Sequence, residues 1–384
     1  MDLFIEELML YLTIVASASK ISTFVLMKEK ILRLLEILES DIFQPHDEHE
    51  EQILVEANRF NSRYWKVVAF ISYTSNLTNM ALPLLAYILG KDKLKPPICS
   101  YSFLSDETRQ TLIYPIYLYQ CLGIHFCMLS NVNIDTFILG LMILVIAQLD
   151  ILAVQLKNIT NPSNSGVVNE RDQSSRIDDT DAILKFNKAV QRYNHITEFC
   201  SLIENVFSIS LFTQFSIASG VICVCLFRFT LPSPLQYYIF LGTYIFIMII
   251  QILVPSWFGT RIMDKSCLLS HALYSCDWTP RCHQFKSSMR IFMERTKRPL
   301  SITGWKMFPM SLTTFTSFQH FLFLTVKSVT RLIKLICRDI VGGPQWDVTR
   351  KRRRQRAFLG HLLAVGNKAC FYGDVKGNND FASD

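Results

Sequence analysis

The chain has 384 residues, of which 50% are hydrophobic and only 18% are charged. Soluble domains contain about 25% charged residues, so this composition excludes a disordered chain and an ordinary cytosolic protein. The mean hydropathy is +0.25 and the net charge is +7. These values predict an integral membrane protein.

The apolar residues are gathered into blocks long enough to cross a bilayer, which takes about 20 residues in a helix. The predicted spans cover residues 8–27, 67–89, 111–134, 205–227, 236–257 and 307–326. Lys20 interrupts the first block, and the third continues past Asp135 to residue 155. Because that run exceeds one membrane thickness, its second half is expected to project into water.

The loops between the spans differ in their content of basic residues. Residues 28–66, 156–204 and 258–300 hold 20 Lys and Arg, whereas the two opposite loops hold 5. Cytoplasmic loops retain Lys and Arg, so these three loops are predicted to be cytoplasmic. The extension of the third span to residue 155 then lies on the cytoplasmic side.

No motif in the sequence favours catalysis or metal binding over an ordinary structural role of the same residues. The HDEHEE stretch at residues 46–51 lacks the spacing that places two His on one helical face. His271, Cys276, Cys282 and His283 match no closed zinc site. Most cysteines lie in spans or on the reducing side of the membrane, so no disulfide framework is expected. The sequence predicts no enzyme, no metal site, no cofactor and no nucleic-acid partner.

Polar side chains in the outer halves of the spans are candidate functional residues, because unsatisfied polar groups are costly in hydrocarbon. They are Tyr114, Tyr117, Tyr119, His125, Gln214, Tyr237, Tyr238 and Tyr244. One interpretation is an interfacial aromatic belt with hydrogen bonds between helices. The other is a mostly aromatic pocket, open to the outside, for a small apolar ligand.

Three segments in the second half of the chain carry a specific family resemblance. They are HITEFCSLIENVFSISLFTQFSIASGVICVCLF (195–227), SWFGTRIMDKSCLLSHALYSCDW (256–278) and MERTKRPLSITGWKMFPMSLTTF (293–315). Each resembles the corresponding segment of the insect odorant receptors. A weaker likeness includes YPIYLYQ (114–120), so residues 1–319 resemble the transmembrane domain of that family.

The resemblance implies an all-α integral membrane bundle of seven helices with the N-terminus inside the cell. Family members form tetramers with the odorant receptor co-receptor, and each subunit gives its last helix to a central cation pore. The ligand lies among the second, third, fourth and sixth helices. Only six spans are visible here, so the span at 8–27 corresponds to the family's second helix and the first helix is expected to be missing. Apolar bands such as residues 30–38 are expected to pack the cytoplasmic extensions together.

The chain departs from the family pattern after residue 319. The family continues with a short pore-lining helix, whereas here Lys327, Arg331 and Lys334 follow the last span and are expected to repel cations at the pore mouth. Residues 327–384 form a basic segment whose run at 350–356 could bind nucleic acid or anionic lipid. Its polar ending favours a disordered tail, which we interpret as intron read-through.

The resemblance implies an odorant-binding subunit that gates a non-selective cation channel with the co-receptor in the plasma membrane of olfactory sensory neurons. Outer-half position and side-chain type predict a pocket for a small volatile odorant. Its candidate residues are Met80, Leu84, Tyr117, Cys121, His125, Phe126, Phe240 and Tyr244. The alternatives are a gustatory receptor of the same superfamily and a non-functional receptor fragment. A G-protein-coupled receptor is disfavoured because neither a DRY-like triplet nor an NPxxY motif is present.

Overall fold

A computed structural model describes residues 2–90, 94, 96, 105–160, 171–229, 235–320, 324, 327, 328 and 331. The chain divides into two units, Met1–Phe315 and Thr316–Asp384. The described residues of the first unit include helices α1 Asp2–Leu26, α2 Lys28–Glu39, α3 Glu48–Ile88, α4 Asp106–Thr111, α5 Ile113–Lys157, α6 Arg171–Arg228, α7 Leu235–Tyr274 and α8 His283–Thr296. The described residues of the second unit are helical. Most of the predicted tail at 327–384 lies outside the described residues.

Four of the described helices are long and apolar enough to cross a membrane, judged by length and composition. They are Glu7–Leu26, Ile113–Lys157, Asp179–Arg228 and Tyr237–Tyr274. In α3 the predicted span at 67–89 carries an outward apolar surface. Its exposed side chains include Val67, Phe70, Ile71, Leu77, Leu82, Leu85 and Ile88. An exposed apolar surface of this extent is typical of a helix that faces lipid or another protein.

Helix α5 is longer than a bilayer is thick. Its 45 residues correspond to about 68 Å at 1.5 Å per residue, against about 30 Å of hydrocarbon. Its second half is also its most buried part. The side chains with almost no exposed surface are Leu141, Met142, Val145, Leu149, Ile151, Leu152 and Leu156. If this half lies in water, as the loop charges predict, each such burial stabilises the fold by about 1.5–3 kcal/mol.

A buried polar cluster joins the inner parts of α3, α5 and α6. Arg192 is 3% exposed, and its Nε and Nη2 donate to Gln148 Oε1 at 3.1 and 3.0 Å. Arg192 Nη1 also lies 3.5 Å from Glu50 Oε2. Glu50 belongs to the HDEHEE stretch, and its Oε1 accepts from Gln155 Nε2 at 2.7 Å. This carboxylate therefore serves helix packing in the structure.

A short hairpin precedes the last helical stretch and was not predicted from the sequence. Strands β1 Thr303–Gly304 and β2 Phe308–Pro309 pair in antiparallel register. The next helix begins at residue 312, where Ser311 Oγ accepts from Thr314 N at 3.2 Å and caps it. The predicted last span begins at 307, so its first five residues form the hairpin and the cap. Local turn geometry overrides their apolar character.

The hairpin turn contains two residues in the left-handed backbone region. Trp305 has φ 46° and Lys306 has φ 56°, and Met307 N donates to Gly304 O at 2.9 Å to close the turn. This φ region costs an L-residue about 1–2 kcal/mol, which glycine avoids.

We expect Lys306→Gly to raise the free energy of unfolding by about 0.5 kcal/mol, because glycine relieves the left-handed strain but loses more chain entropy. Thermal unfolding of the purified chain measures this. Lys306→Ala is the matched control, since it removes the same exposed side chain and keeps the Cβ. Equal stability of the two variants would show that the backbone at Lys306 is not strained.

Candidate ligand-binding site

Polar contacts between the outer halves of α3 and α5 bring half of the predicted pocket residues together. On α5, Tyr117, Cys121 and His125 are spaced by four residues and so share one helical face. Tyr117 Oη donates to the Met80 carbonyl of α3. Closer to the middle of both helices, Asn76 Nδ2 of α3 lies 3.2 Å from His125 Nδ1 of α5.

We call this contact the α3–α5 seam. It comprises Tyr73, Asn76 and Met80 of α3 and Tyr117, Cys121 and His125 of α5. The Tyr73 and His125 rings are 5.9 Å apart. Tyr87 and Tyr114 continue the contact toward the loop, with their hydroxyl oxygens 2.8 Å apart.

The other predicted pocket residues lie elsewhere. Leu84 is 41% exposed and Phe126 is 74% exposed, so Phe126 points away from the seam. Tyr244 of α7 is partly buried, and its Oη lies 2.7 Å from Thr13 Oγ1 of α1. The side chain of Phe240 falls outside the described residues. The pocket assignment stays a prediction for all eight residues.

The contact of Tyr244 extends the candidate site toward α1 and α6. Thr13 Oγ1 donates to Met9 O at 2.9 Å, so the Tyr244 hydroxyl is the donor to Thr13. Cys225 Sγ of α6 lies 3.3 Å from Met9 Sδ. Thus α1 contacts both α6 and α7 through polarizable or hydroxyl groups in an otherwise apolar region.

A buried ion pair between α1 and α5 was missed at the sequence level. Lys20 is 2% exposed, and its Nζ lies 2.7 Å from Asp135 Oδ1 and donates to Asn131 Oδ1 at 3.1 Å. Asn131 Nδ2 in turn donates to Ser17 Oγ at 2.5 Å. A signal was present, because Lys20 is the one charged residue in the block at 8–27 and Asp135 interrupts the apolar block that begins at 111. Opposite charges in such blocks are expected to pair.

Other polar residues of the spans contact neighbouring helices. Gln214 Nε2 donates to Gln251 O at 3.4 Å, and the Arg228 guanidinium lies 4.9 Å from the centre of the Tyr237 ring. The contact of Gln214 supports the interpretation as a hydrogen bond between helices for that residue. Among the residues that the structure describes, no group of three His, Cys, Asp or Glu is placed to hold a metal ion.

The seam therefore presents side chains that can contact a small molecule. Its side chains are two aromatic rings, a thioether, a thiol, an amide and an imidazole, and it contains no carboxylate or ammonium group. Such surfaces bind small apolar molecules, and their few polar groups orient the ligand.

Comparison with known proteins identifies the family. The family model described as 7tm odorant receptor matches residues 1–323. Odorant receptor 46a, isoform A, of Drosophila melanogaster is 24% identical over 273 residues, which is 69% of this chain and 65% of that receptor. Odorant receptor 67a of the same species is 21% identical, over 79% of this chain and 74% of its own length. The chain thus spans just under two thirds of odorant receptor 46a.

Solved structures share the fold. The insect olfactory receptor OR5 from Machilis hrabei, solved in complex with eugenol, aligns with a TM-score of 0.70 and 16% identity. The alignment covers 85% of this chain and 81% of that receptor. A second structure of OR5 from Machilis hrabei gives a TM-score of 0.69 at 17% identity. The sequence-based prediction of an all-α insect odorant receptor fold is confirmed, and the chain belongs to the 7tm odorant receptor family.

Proposed function

We propose that this protein is the ligand-selective subunit of an odorant-gated cation channel and that the α3–α5 seam is part of its odorant site. The observation that carries the proposal is the seam itself, where neutral polar groups of α3 and α5 contact one another. Its relatives are odorant receptors, and an insect olfactory receptor with the same fold was solved in complex with eugenol. A co-receptor of the same family completes the channel.

The site is also consistent with the ligand position that the family resemblance implies. If α1 is the family's second helix, then α3, α5 and α7 are the third, fourth and sixth. The seam lies between α3 and α5, and Tyr244 joins α7 to α1. Helices α3, α5 and α7 then each carry a predicted pocket residue, and α1 carries Thr13, which contacts Tyr244.

Helix α5 supplies a route from the site to the rest of the channel. It runs without a break from Tyr117 through His125 into the buried inner half. There Asp150 Oδ1 lies 2.5 Å from Lys265 Nζ of α7. A ligand that fits one arrangement of α5 better than another shifts the gate only by its difference in affinity for the two. A small displacement of α5 at the seam would change the contact with α7.

The proposal predicts an odorant-evoked cation current that requires both this chain and the co-receptor. Cells that express this chain and the co-receptor are exposed to a panel of volatiles, and cells with the co-receptor alone are the control. A chimera that carries the terminal helices of odorant receptor 46a is tested in parallel, because the pattern departs from the family at the end. No odorant-evoked current from either form would contradict the proposal.

We expect Tyr117→Ala and Tyr244→Ala each to raise the half-maximal odorant concentration about tenfold, because each removes an aromatic contact and a hydrogen bond between helices. Dose–response curves in the responsive form measure this. Tyr119→Ala is the matched control, since Tyr119 is on the same helix but 71% exposed. Unchanged curves for both variants would place the odorant elsewhere.

A further inference from the structure

One polar atom of the seam has no partner among the residues that the structure describes. Asn76 is 8% exposed, and its Oδ1 is buried without a hydrogen bond. The other end of the same amide is occupied, since Nδ2 lies 3.2 Å from His125 Nδ1. A buried carbonyl that accepts no hydrogen bond is unfavourable, and most such groups in folded proteins are paired.

The contact with His125 fixes what this amide can offer. When Nδ2 donates to Nδ1, the imidazole carries its proton on Nε2 and the amide presents Oδ1 as an acceptor. The nearby hydroxyl of Tyr117 is already committed to the Met80 carbonyl. Among the described residues, no side chain of the seam therefore donates a hydrogen bond to Asn76 Oδ1.

The surroundings restrict which donor fits. The seam contains no acidic side chain that would pair with an ammonium ion, so a protonated amine would lose its hydration without compensation. The nearest such carboxylate on α5, Asp135, is paired with Lys20. A neutral O–H group attached to an apolar body satisfies both the acceptor and the apolar walls.

We propose that Asn76 Oδ1 is the polar anchor of the odorant site and that the site selects volatiles with a hydroxyl group, alcohols or phenols, whose O–H donates to it. This inference rests on the proposed function and deepens it. An ether of the same size has no donor and leaves Oδ1 desolvated and unpaired.

The test compares hydroxyl volatiles with ethers that have the same size or one more methyl group. The purified full chain in lipid nanodiscs is titrated with octanol and methyl heptyl ether, with phenylethanol and its methyl ether, and with eugenol and methyl eugenol. Ligand-induced shifts of the melting temperature give relative affinities. We expect at least one hydroxyl compound to bind about tenfold more tightly than its ether.

Asn76→Leu removes the acceptor and is expected to abolish that preference, while the ether binds as well as before or better. Thr78→Val is the matched control. Thr78 is exposed on the same helix, and its Oγ1 bonds only to Thr74 O among its assigned contacts. Both variants also destroy the Asn76-Leu77-Thr78 sequon, so glycosylation cannot separate them. Thr78→Val should keep the tenfold preference.

Equal binding of alcohol and ether by the unmodified chain overturns the inference, and this is the result expected if a trapped water satisfies Oδ1. A preference that survives Asn76→Leu overturns it too. The comparison in the unmodified chain needs no variant, so it stands even if Asn76→Leu fails to fold. Failure of every volatile to shift the melting temperature instead contradicts the proposed function.

Discussion

Asp135→Leu is expected to lower the free energy of unfolding by about 3 kcal/mol. Lys20 is almost fully buried, and Asp135 is the anionic group at 2.7 Å from its Nζ. Removing one partner of a buried ion pair leaves an uncompensated charge, which costs more than the pair contributes. Asn131 Oδ1 remains as an acceptor at 3.1 Å and limits the loss.

The double variant Lys20→Met with Asp135→Leu separates charge burial from packing. Replacing a buried ion pair by apolar side chains is often neutral or stabilising, so we expect it to regain most of the stability. Thermal unfolding in nanodiscs measures all three proteins. Glu56→Leu is the control, because Glu56 is exposed on α3. If Asp135→Leu is as stable as Glu56→Leu, Asp135 does not compensate the buried charge of Lys20.

Gly259→Ala is expected to destabilise the contact between α7 and the hairpin by about 3 kcal/mol or more. A Cβ at Gly259 would lie 1.9 Å from the backbone oxygen of Met310. Because the opposing atom belongs to the backbone, the hairpin would have to move. That movement would also strain the bond from Leu312 N to Thr260 Oγ1, now 2.9 Å.

Gly123→Ala is the matched control for this substitution. Gly123 lies within α5, and a Cβ there would meet nothing within 4 Å. Alanine has the higher helix propensity, so this variant should be neutral or stabilised by up to about 1 kcal/mol. The yield of folded protein and its melting temperature measure both variants. Similar melting temperatures for the two would show that Gly259 does not make this close approach.

The fold class and the family could be predicted because both depend on signals that lie along the chain. Apolar blocks predict membrane helices, and three segments after residue 195 carry the family pattern. The long inner half of α5 followed from the length of its block. In the structure this half packs against α6 and α7 through Gln148 and Asp150.

The contacts of the site depend on helix packing, which residue type alone does not specify. Asn76 and His125 are 49 positions apart, and Lys20 and Asp135 are 115 apart. Residue type identified His125 and Tyr117 but did not single out Asn76. Phe126 was chosen for its aromatic ring, although it is on another face of α5. Turn geometry at Trp305 and Lys306 likewise shortened the last apolar block.

The central claim is that the α3–α5 seam binds a volatile ligand, and one binding measurement tests it most directly. The melting temperature of the purified chain in nanodiscs is recorded with each member of a volatile panel, for the unmodified protein, Tyr117→Ala and Tyr119→Ala. The account predicts that at least one volatile raises the melting temperature of the unmodified chain and of Tyr119→Ala. The same volatile should raise the melting temperature of Tyr117→Ala by less, because the variant binds it about tenfold more weakly. An equal rise in all three proteins, or no rise in any, would contradict the claim.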